Sequence, residues 1–540
     1  MLKRTLLLMP RYLLPLVLVL WCAILLAQKI DLPLADLGRH LKNGEIILNA
    51  PWAEKWRLLH TNYYSYTESG HEFVNHHWFS GVVFYLIFKI VGFKGLSAVY
   101  IGVVTAAFFG VYWAAKKRSG SAIAAALAVL ILPIIASRSE VRPEGFTYLF
   151  MAVFWILLAG YKSAVGSSKY RLFLLPAFML LWVNLHIGFI FGFVIWGAFF
   201  LEELIKDLKA KLKDKSYRIL YYRSRLLLVV GGLCFIAALI NPFFIKGVLY
   251  PLNIFRKYGY LIVENQSVMF LERLGMGSDL YFGLFKFLLV LTGLTFAARF
   301  IWHLVAKHKS GLWDFPYHEF LLLSTVGFLA LFAIRNFPVF GLLFLPIVAG
   351  NIRTVLPRPQ HLAYKLLPLG IAFIIVMGGS FRFWESYKYK SGTFGLGLMP
   401  NVQNAAQFFI SQNVKGPIFN NYDIGGYLIY SLYPKEKVFT DNRPEAYSVE
   451  HFQKIYIPMQ QDEAKWVDME AKYNFNAIFF SHRDLTPWGQ AFLLSRVKDP
   501  QWAVVYADAY NIIFVKKNSQ NLELIRKYLI PKENFGVISQ

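Results

Sequence analysis

The feature that most limits this chain is a series of apolar runs long enough to cross a lipid bilayer. A crossing takes about 20 mostly apolar residues. Such runs occupy roughly 12–28, 95–115, 121–137, 144–161, 171–184, 187–204, 224–241, 281–303, 317–334, 337–350 and 363–381. With 56% hydrophobic and only 16% charged residues, the composition fits a polytopic membrane protein and not a soluble domain. The two cysteines, Cys22 and Cys234, both fall inside apolar runs, so neither a disulfide framework nor a cysteine metal site follows. The first run follows Lys3, Arg4 and Arg11 and has no clear small-x-small cleavage site, which reads as an uncleaved signal anchor.

The formal net charge of +24 does not point to nucleic acid. Much of the basic charge sits in short loops between apolar runs, where it sets orientation. No nucleic-acid partner is expected. The run Trp78 to Phe93 decides the topology. If it does not cross, then the N-terminus, Lys116-Lys117-Arg118, Lys162 to Arg171, Lys206 to Arg225, Lys307-His308-Lys309 and Arg353 to Lys365 all lie inside. If it crosses, every later cluster moves outside. The first arrangement puts the C-terminus outside the cell membrane.

The external face then carries Asp31 to His77, Ser137 to Glu144, Asn184 to Gly188, Pro242 to Leu280, Arg335-Asn336 and everything after about 382. From about 400 the apolar runs shorten to strand length: Pro417–Phe419, Val438–Thr440, Ala477–Phe480, Trp502–Ala507 and Ile512–Val515. Helix-like segments Val402–Gln412, Asp462–Lys472 and Trp488–Val497 lie between them. The expected architecture is an α-helical membrane domain, residues 1–385, of about 11–13 transmembrane helices. It has a long first external loop, 29–77. A soluble extracytoplasmic α/β domain, 386–540, follows.

Five groups of residues on that face could carry chemistry. Asp36, with Arg39 and His40 at helical spacing, is either an N-cap of a helix running through Ile47 or an essential acid at the membrane boundary. The turn Ser137 to Gly145 places Glu140 and Glu144 among Arg138 and Arg142. It is either a salt-bridged loop or a carboxylate pair for Mg²⁺ or Mn²⁺. Val263-Glu264-Asn265-Gln266 is a polar kink or a grip on an acceptor. Arg335 either snorkels to the interface or binds phosphate in bidentate fashion. Trp182, Asn184 and His186 sit at another external span end, where an interfacial aromatic belt accounts for the tryptophan. Finally, Tyr422-Asp423-Ile424-Gly425-Gly426 and Asp441-Asn442 follow strand-like runs, where α/β domains place ligands. Plain turn chemistry and close helix packing at the glycines are the alternative. Nucleotide-binding Walker loops, HExxH and GxSxG are missing from the sequence.

Taken in order, these residues resemble the GT-C superfamily of membrane glycosyltransferases, most closely the layout of oligosaccharyltransferase catalytic subunits. Asp36 matches that family's essential Asp in the first external loop. Arg142-Pro143-Glu144-Gly145 is similar to its second-loop acid cluster but lacks the Asp. Leu261-Ile262-Val263-Glu264 is similar to its fifth-loop Ser-Val-x-Glu motif. Arg335 matches the lipid-phosphate arginine. Tyr422-Asp423-Ile424-Gly425-Gly426-Tyr427 and Asp441-Asn442 look like degenerate versions of its C-terminal Trp-Trp-Asp-Tyr-Gly and Asp-Asn motifs, with Asn421-Tyr422 in place of the tryptophan pair. Asp36 to His40, Tyr64 to Thr67 and His76-His77-Trp78 look more like a group of bacterial GT-C-like membrane proteins.

The resemblance implies an inverting transferase in the cell membrane with a polyprenyl-phosphate or pyrophosphate sugar donor and a glycan, lipid or protein acceptor. It implies Asp36 as general base or metal ligand, Glu140 or Glu144 as second ligand and Glu264 at the acceptor. Arg335, with Arg39 and His40, would hold the donor phosphate. Tyr422, Asp423, Gly425, Gly426, Asp441 and Asn442 would lie on the acceptor side. A lipid transporter or an envelope assembly scaffold on the same framework is the alternative. Transporters set their polar groups near mid-membrane, whereas here they cluster at external span ends.

Overall fold

The structure is a computed structural model. It describes residues 2–163, 167–216, 219–255, 257–276, 279–305, 315–356, 370 and 393–536. The chain divides into two compact units. The first comprises residues 1–28, 97–251 and 262–395, and the second 29–96, 252–261 and 396–540. The first external loop, expected with the membrane domain, therefore groups with the C-terminal region.

The first unit is a helical bundle. Leu2–Leu26, Ser121–Ile135, Glu144–Ser163, Leu174–Leu185, Ile190–Lys213, Tyr222–Leu239, Asp279–Val305, Tyr317–Phe332 and Phe337–Val355 all coincide with predicted spans. Six helices among the described residues are long and apolar enough to cross a membrane, and several shorter apolar ones accompany them. The predicted span at 363–381, the cluster Lys307-His308-Lys309 and the boundary at 385 lie outside the described residues.

Polar side chains in this unit gather at opposite helix ends. Arg118 closes one helix and meets Glu319, at the start of Tyr317–Phe332, at 2.6 Å. Arg299 joins Glu319 and donates to Asn351 at 2.7 Å. At the other end, the turn after Ile135, the start of Glu144–Ser163 and Ile334–Asn336 come together. This alternation is what a chain threaded repeatedly through a bilayer produces, because charged groups are stable only where water or a partner reaches them.

The segment 78–91 behaves as the charge pattern requires. A helix begins at Trp78, but Gly92 takes φ +65°, a conformation open to glycine, and breaks it. The piece before the break is shorter than the about 20 residues that a crossing takes. It belongs to the second unit. There it packs on the helix Leu37–Asn49 so closely that a Cβ on Gly44 would stand 2.2 Å from the Gly81 carbonyl oxygen.

The second unit holds a four-stranded sheet: β1 (Ile418–Asn420), β2 (Ala477–Ser481), β3 (Trp502–Ala507) and β4 (Asn511–Lys516), in the order β1-β2-β4-β3. β1 and β2 are parallel, with Ile418 opposite Ala477; β4 runs antiparallel to both of its neighbours. The strands β1 and β2 are buried throughout, as strands covered on both faces must be. One predicted strand is absent. Val438–Thr440 makes only a bridge to Ser65, because the Asn420 side chain takes the place of a neighbouring strand. Its carboxamide donates to the Thr440 carbonyl at 2.8 Å and accepts from the Phe439 N–H at 2.9 Å.

An aromatic core fills one side of this sheet: Phe419, Phe439, Tyr456, Trp466, Phe475, Phe480, Phe492 and Phe514. Phe73 from the first external loop is part of it, which is why that loop joins this unit. The Tyr66 hydroxyl donates to the Ile418 carbonyl, and Ser448 donates to Glu68. The deepest polar group is Arg443. It donates to both oxygens of Asp441, each at 2.7 Å, and to Asn62 at 2.8 Å. The rings of Phe73 and Tyr64 lie 4.8 and 5.4 Å from its guanidinium.

Breaking a buried ion pair from one side strands the other charge, at a cost of about 3–5 kcal/mol. Arg443→Met is expected to lower the thermal midpoint of the purified protein sharply. Combining it with Asp441→Asn should restore part of the loss. Equal losses in single and double variants would mean that the stranded Asp441 charge is not the cause.

Candidate functional site

The predicted residues fall into one cluster in each unit. In the second unit, Asp36 stands just before the helix Leu37–Asn49, as predicted to within two residues. Its side chain does not cap that helix. Instead Asp36 Oδ1 accepts from Asn442 Nδ2 at 2.5 Å. Arg39 Nε donates to Asn442 Oδ1 at 3.4 Å, and its Nη2 stands 3.9 Å from Asp36 Oδ1. His40 is buried, and its ring meets that of His77 edge-on at 5.5 Å. A Cβ on Gly38 would stand 2.8 Å from the Gly426 carbonyl, so the glycine pair lets the helix Gly425–Leu432 press against Leu37–Asn49.

Around Asp36 lie the ends of several extended segments. Asp423 follows β1, Asn442 follows Val438–Thr440, and Asp484 follows β2. Burial raises the Asp423 carboxyl first, and the charges of Asp484 and Asp36 add to it; together they push it up to about 7. Tyr422 stacks on Tyr260 from the long external loop, with ring centroids 4.2 Å apart. Asp484 accepts from Asn421 Nδ2 at 3.0 Å. Tyr260 and Asp484 escaped sequence reasoning. The strand-end rule that selected 422–427 applies equally to the end of β2 and would have found Asp484.

Asp441 requires a correction. Expected on the acceptor side, it is fully buried, and its oxygens accept from Arg443 and from the Tyr447 hydroxyl. It serves as an internal counterion. Asn442 faces Asp36 and Arg39.

The first unit brings Glu144, Glu264 and Arg335 together. Arg138 donates to Glu264 at 2.7 Å and to Glu144 at 3.2 Å. Arg142 donates to Glu264 at 3.0 Å and to Glu140 at 2.7 Å. Arg335 donates to Asn265 at 3.0 Å and to Glu144 at 3.3 Å. Burial alone would raise the Glu264 carboxyl, but Arg138, Arg142 and Arg335 hold it well below the usual carboxylate range. Nearby, the Trp182 indole donates to Thr147, whose hydroxyl pairs with His186 Nδ1 at 2.7 Å.

Two further expectations are corrected here. Glu264 does not present a carboxylate to an acceptor; it accepts from two arginines. Nor do Glu140 and Glu144 form the ligand set of a cation. Each accepts from a guanidinium, and among the described residues no three Asp, Glu, His or Cys side chains are grouped to hold a metal ion. The donor set of this cluster suits an anion, because three planar guanidinium groups are gathered in one place. The arginines Arg138 and Arg142 were read from the sequence only as loop ion pairs; the fold joins them to Arg335.

The elevated Asp423 carboxyl has a consequence for stability. An ordinary aspartate ionises near about 3.9. The folded state keeps this proton up to about 7. It therefore binds more protons in that window, and stability falls as pH rises through it. Asp423→Asn is expected to raise the thermal midpoint, by a gain that grows with pH and levels off above about 7. The difference between about pH 5 and pH 8 should be worth about 1–2 kcal/mol after solvent screening. A gain independent of pH would exclude titration of Asp423 as its origin.

No protein-family model and no curated protein matches the sequence. Solved structures do match. The archaeal oligosaccharyltransferase AglB from Archaeoglobus fulgidus, in complex with an inhibitory peptide and a dolichol-phosphate, is similar with a TM-score of 0.54 and 12% identity, over 95% of this chain and 75% of that one. The apo form of the Archaeoglobus fulgidus oligosaccharyltransferase gives 0.54 and 12%, over 94% and 74%. ArnT from Cupriavidus metallidurans bound to undecaprenyl phosphate gives 0.48 and 12%, over 95% and 99%. At such identities the likeness establishes fold alone: the chain is a multi-pass membrane protein with a GT-C-like glycosyltransferase fold and a C-terminal α/β region.

Proposed function

We propose that the chain is an inverting membrane glycosyltransferase. It moves a sugar from a polyprenyl-phosphate or pyrophosphate donor to an acceptor of the cell envelope, at the external membrane face. Its N-terminus lies inside and its C-terminal unit outside the cell membrane. The observation that carries this reading is Asp36, fixed at a helix start by Asn442 and not engaged in capping that helix. The fold shared with an oligosaccharyltransferase crystallised with dolichol-phosphate supports it.

The chemistry needs a base at the acceptor and positive charge at the leaving group. Asp36 takes the proton from the acceptor O–H or N–H. The freed electron pair forms the new bond to the anomeric carbon. The bond from that carbon to the donor phosphate oxygen breaks, and its electron pair leaves with the phosphate. Arg335, with Arg138 and Arg142, meets the charge that develops on that oxygen, and the carboxylates of Glu144 and Glu264 hold the three guanidinium groups in position. The acceptor side consists of Tyr422, Tyr260 and Asp423. Asn421, which stands where the resembling family has a tryptophan, is fully buried and bonded to Ser481 and Asp484. That supports an acceptor other than the peptide that the oligosaccharyltransferase motif reads.

The decisive experiment reconstitutes the protein in liposomes with radiolabelled polyprenyl-phosphate hexose and an envelope extract as acceptor source. Release of polyprenyl phosphate is followed. Asp36→Asn keeps the shape of the side chain and removes the base, so release should fall by about 10²-fold or more. Retained release would exclude Asp36 as the central acid and favour a lipid carrier without transfer chemistry.

Arg335 tests the other half of the reading. Lysine supplies the charge but cannot keep both the Asn265 and Glu144 contacts in one plane. Arg335→Lys should weaken binding of polyprenyl phosphate roughly tenfold, the loss of about one charge-assisted hydrogen bond. Equal affinity would mark Arg335 as an interfacial side chain without a role at the phosphate.

A further inference from the structure

We infer that Asn442 is a positioning residue for Asp36: its carboxamide, itself held by Arg39, fixes the direction in which the Asp36 carboxylate acts. The inference rests on the transferase reading for its meaning, though not for its geometry. Within the second unit three side chains form a relay. Arg39 Nε donates to Asn442 Oδ1, which orients the amide; Asn442 Nδ2 then donates to Asp36 Oδ1. An amide oriented this way can only donate to Asp36.

The backbone reinforces the relay. Asn442 follows Asp441 directly, and Asp441 is locked by Arg443 and Tyr447 in the interior. Arg39 is buried on the helix that Asp36 precedes. Both ends of the relay are thus anchored, one in the first external loop and one in the sheet region. A carboxylate at a helix start would ordinarily turn back to cap the N–H groups there. Asp36 makes no such bond, and Asn442 is what holds it away. With Oδ1 engaged, the direction of Oδ2 follows from the plane of the group. In the transfer step that fixes where the acceptor proton is received.

The groups that bear on Asp36 are Arg39 from its own helix, Asn442, and Tyr422 with Asp423 from the turn after β1. Removing the Asn442 donor takes away a bond made to the charged form of Asp36, so protonation becomes easier. Adding a carboxylate in its place makes protonation easier still.

The test uses the full-length protein in detergent and a water-soluble carbodiimide with glycine ethyl ester. This probe couples to protonated carboxyl groups, and mass spectrometry reads its yield at Asp36 as a function of pH. In Asn442→Ala the midpoint of labelling should move up by about one pH unit, and in Asn442→Asp by more. Asp214, in a distant loop of the other unit, should label alike in all three proteins. The isosteric Asn442→Asp decides the matter if the alanine variant does not fold. Unchanged midpoints at Asp36 would overturn the inference, whatever happens to transfer. A shifted midpoint combined with active Asp36→Asn would leave the relay standing and remove the transferase reading instead. If both hold, polyprenyl phosphate release by the variants should fall, with its acidic limb displaced in step with the labelling.

Discussion

The pairing of Asp441 with Arg443 is the interaction on which the second unit turns. A guanidinium and a carboxylate are buried together there only because every strong polar direction is answered: by each other, by Asn62 and by Tyr447. Asn62, Tyr64 and Phe73 come from the first external loop, so the pair cannot be assembled without closing that loop over the sheet region. Closure sets Asn442 one residue along from Asp441, and Asn442 in turn sets Asp36. The acid that would carry chemistry is therefore placed by a buried ion pair that has no chemistry of its own.

The first unit solves a different problem. Three arginines near a membrane boundary would repel one another and scatter toward water. Glu140, Glu144 and Glu264 hold them in a compact array in which each carboxylate serves at least one guanidinium. The array is balanced in charge, so an arriving phosphate exchanges partners with the glutamates and does not fall into a simple positive well. Such exchange favours an anion with several oxygens and disfavours a monovalent ion, which could not satisfy the planar forks.

Much of this was legible beforehand, for identifiable reasons. Span positions follow from apolar length, and the separate status of residues 78–91 follows from the charge of the later loops; both depend on composition, which the sequence displays directly. The residues Asp36, Glu144, Glu264 and Arg335 were found by type and by order along the chain. Their partners were not. That Glu264 answers Arg138 and Arg142 joins residues more than a hundred positions apart, and no local pattern encodes it. Asp441 and Asn442 are adjacent in sequence and were given one role; burial of one and the outward turn of the other separate them. Val438–Thr440 has the composition of a strand, but a single side chain, that of Asn420, occupies the hydrogen bonds a strand would have used.

That substitution has a bearing on solubility. A sheet ends at strands whose outer N–H and C=O groups invite another chain to pair with them. Here β1 is one such border, and the Asn420 carboxamide and the Tyr66 hydroxyl already occupy groups along it. At the opposite border β3 is bulged between Val504 and Tyr506, and Val504 accepts from the Ile530 N–H. A small sheet made almost wholly of Ile, Phe and Val would otherwise be a template for self-association in a crowded envelope. With both borders closed by its own side chains and tail, copies of this unit can lie close together in a membrane without joining edge to edge.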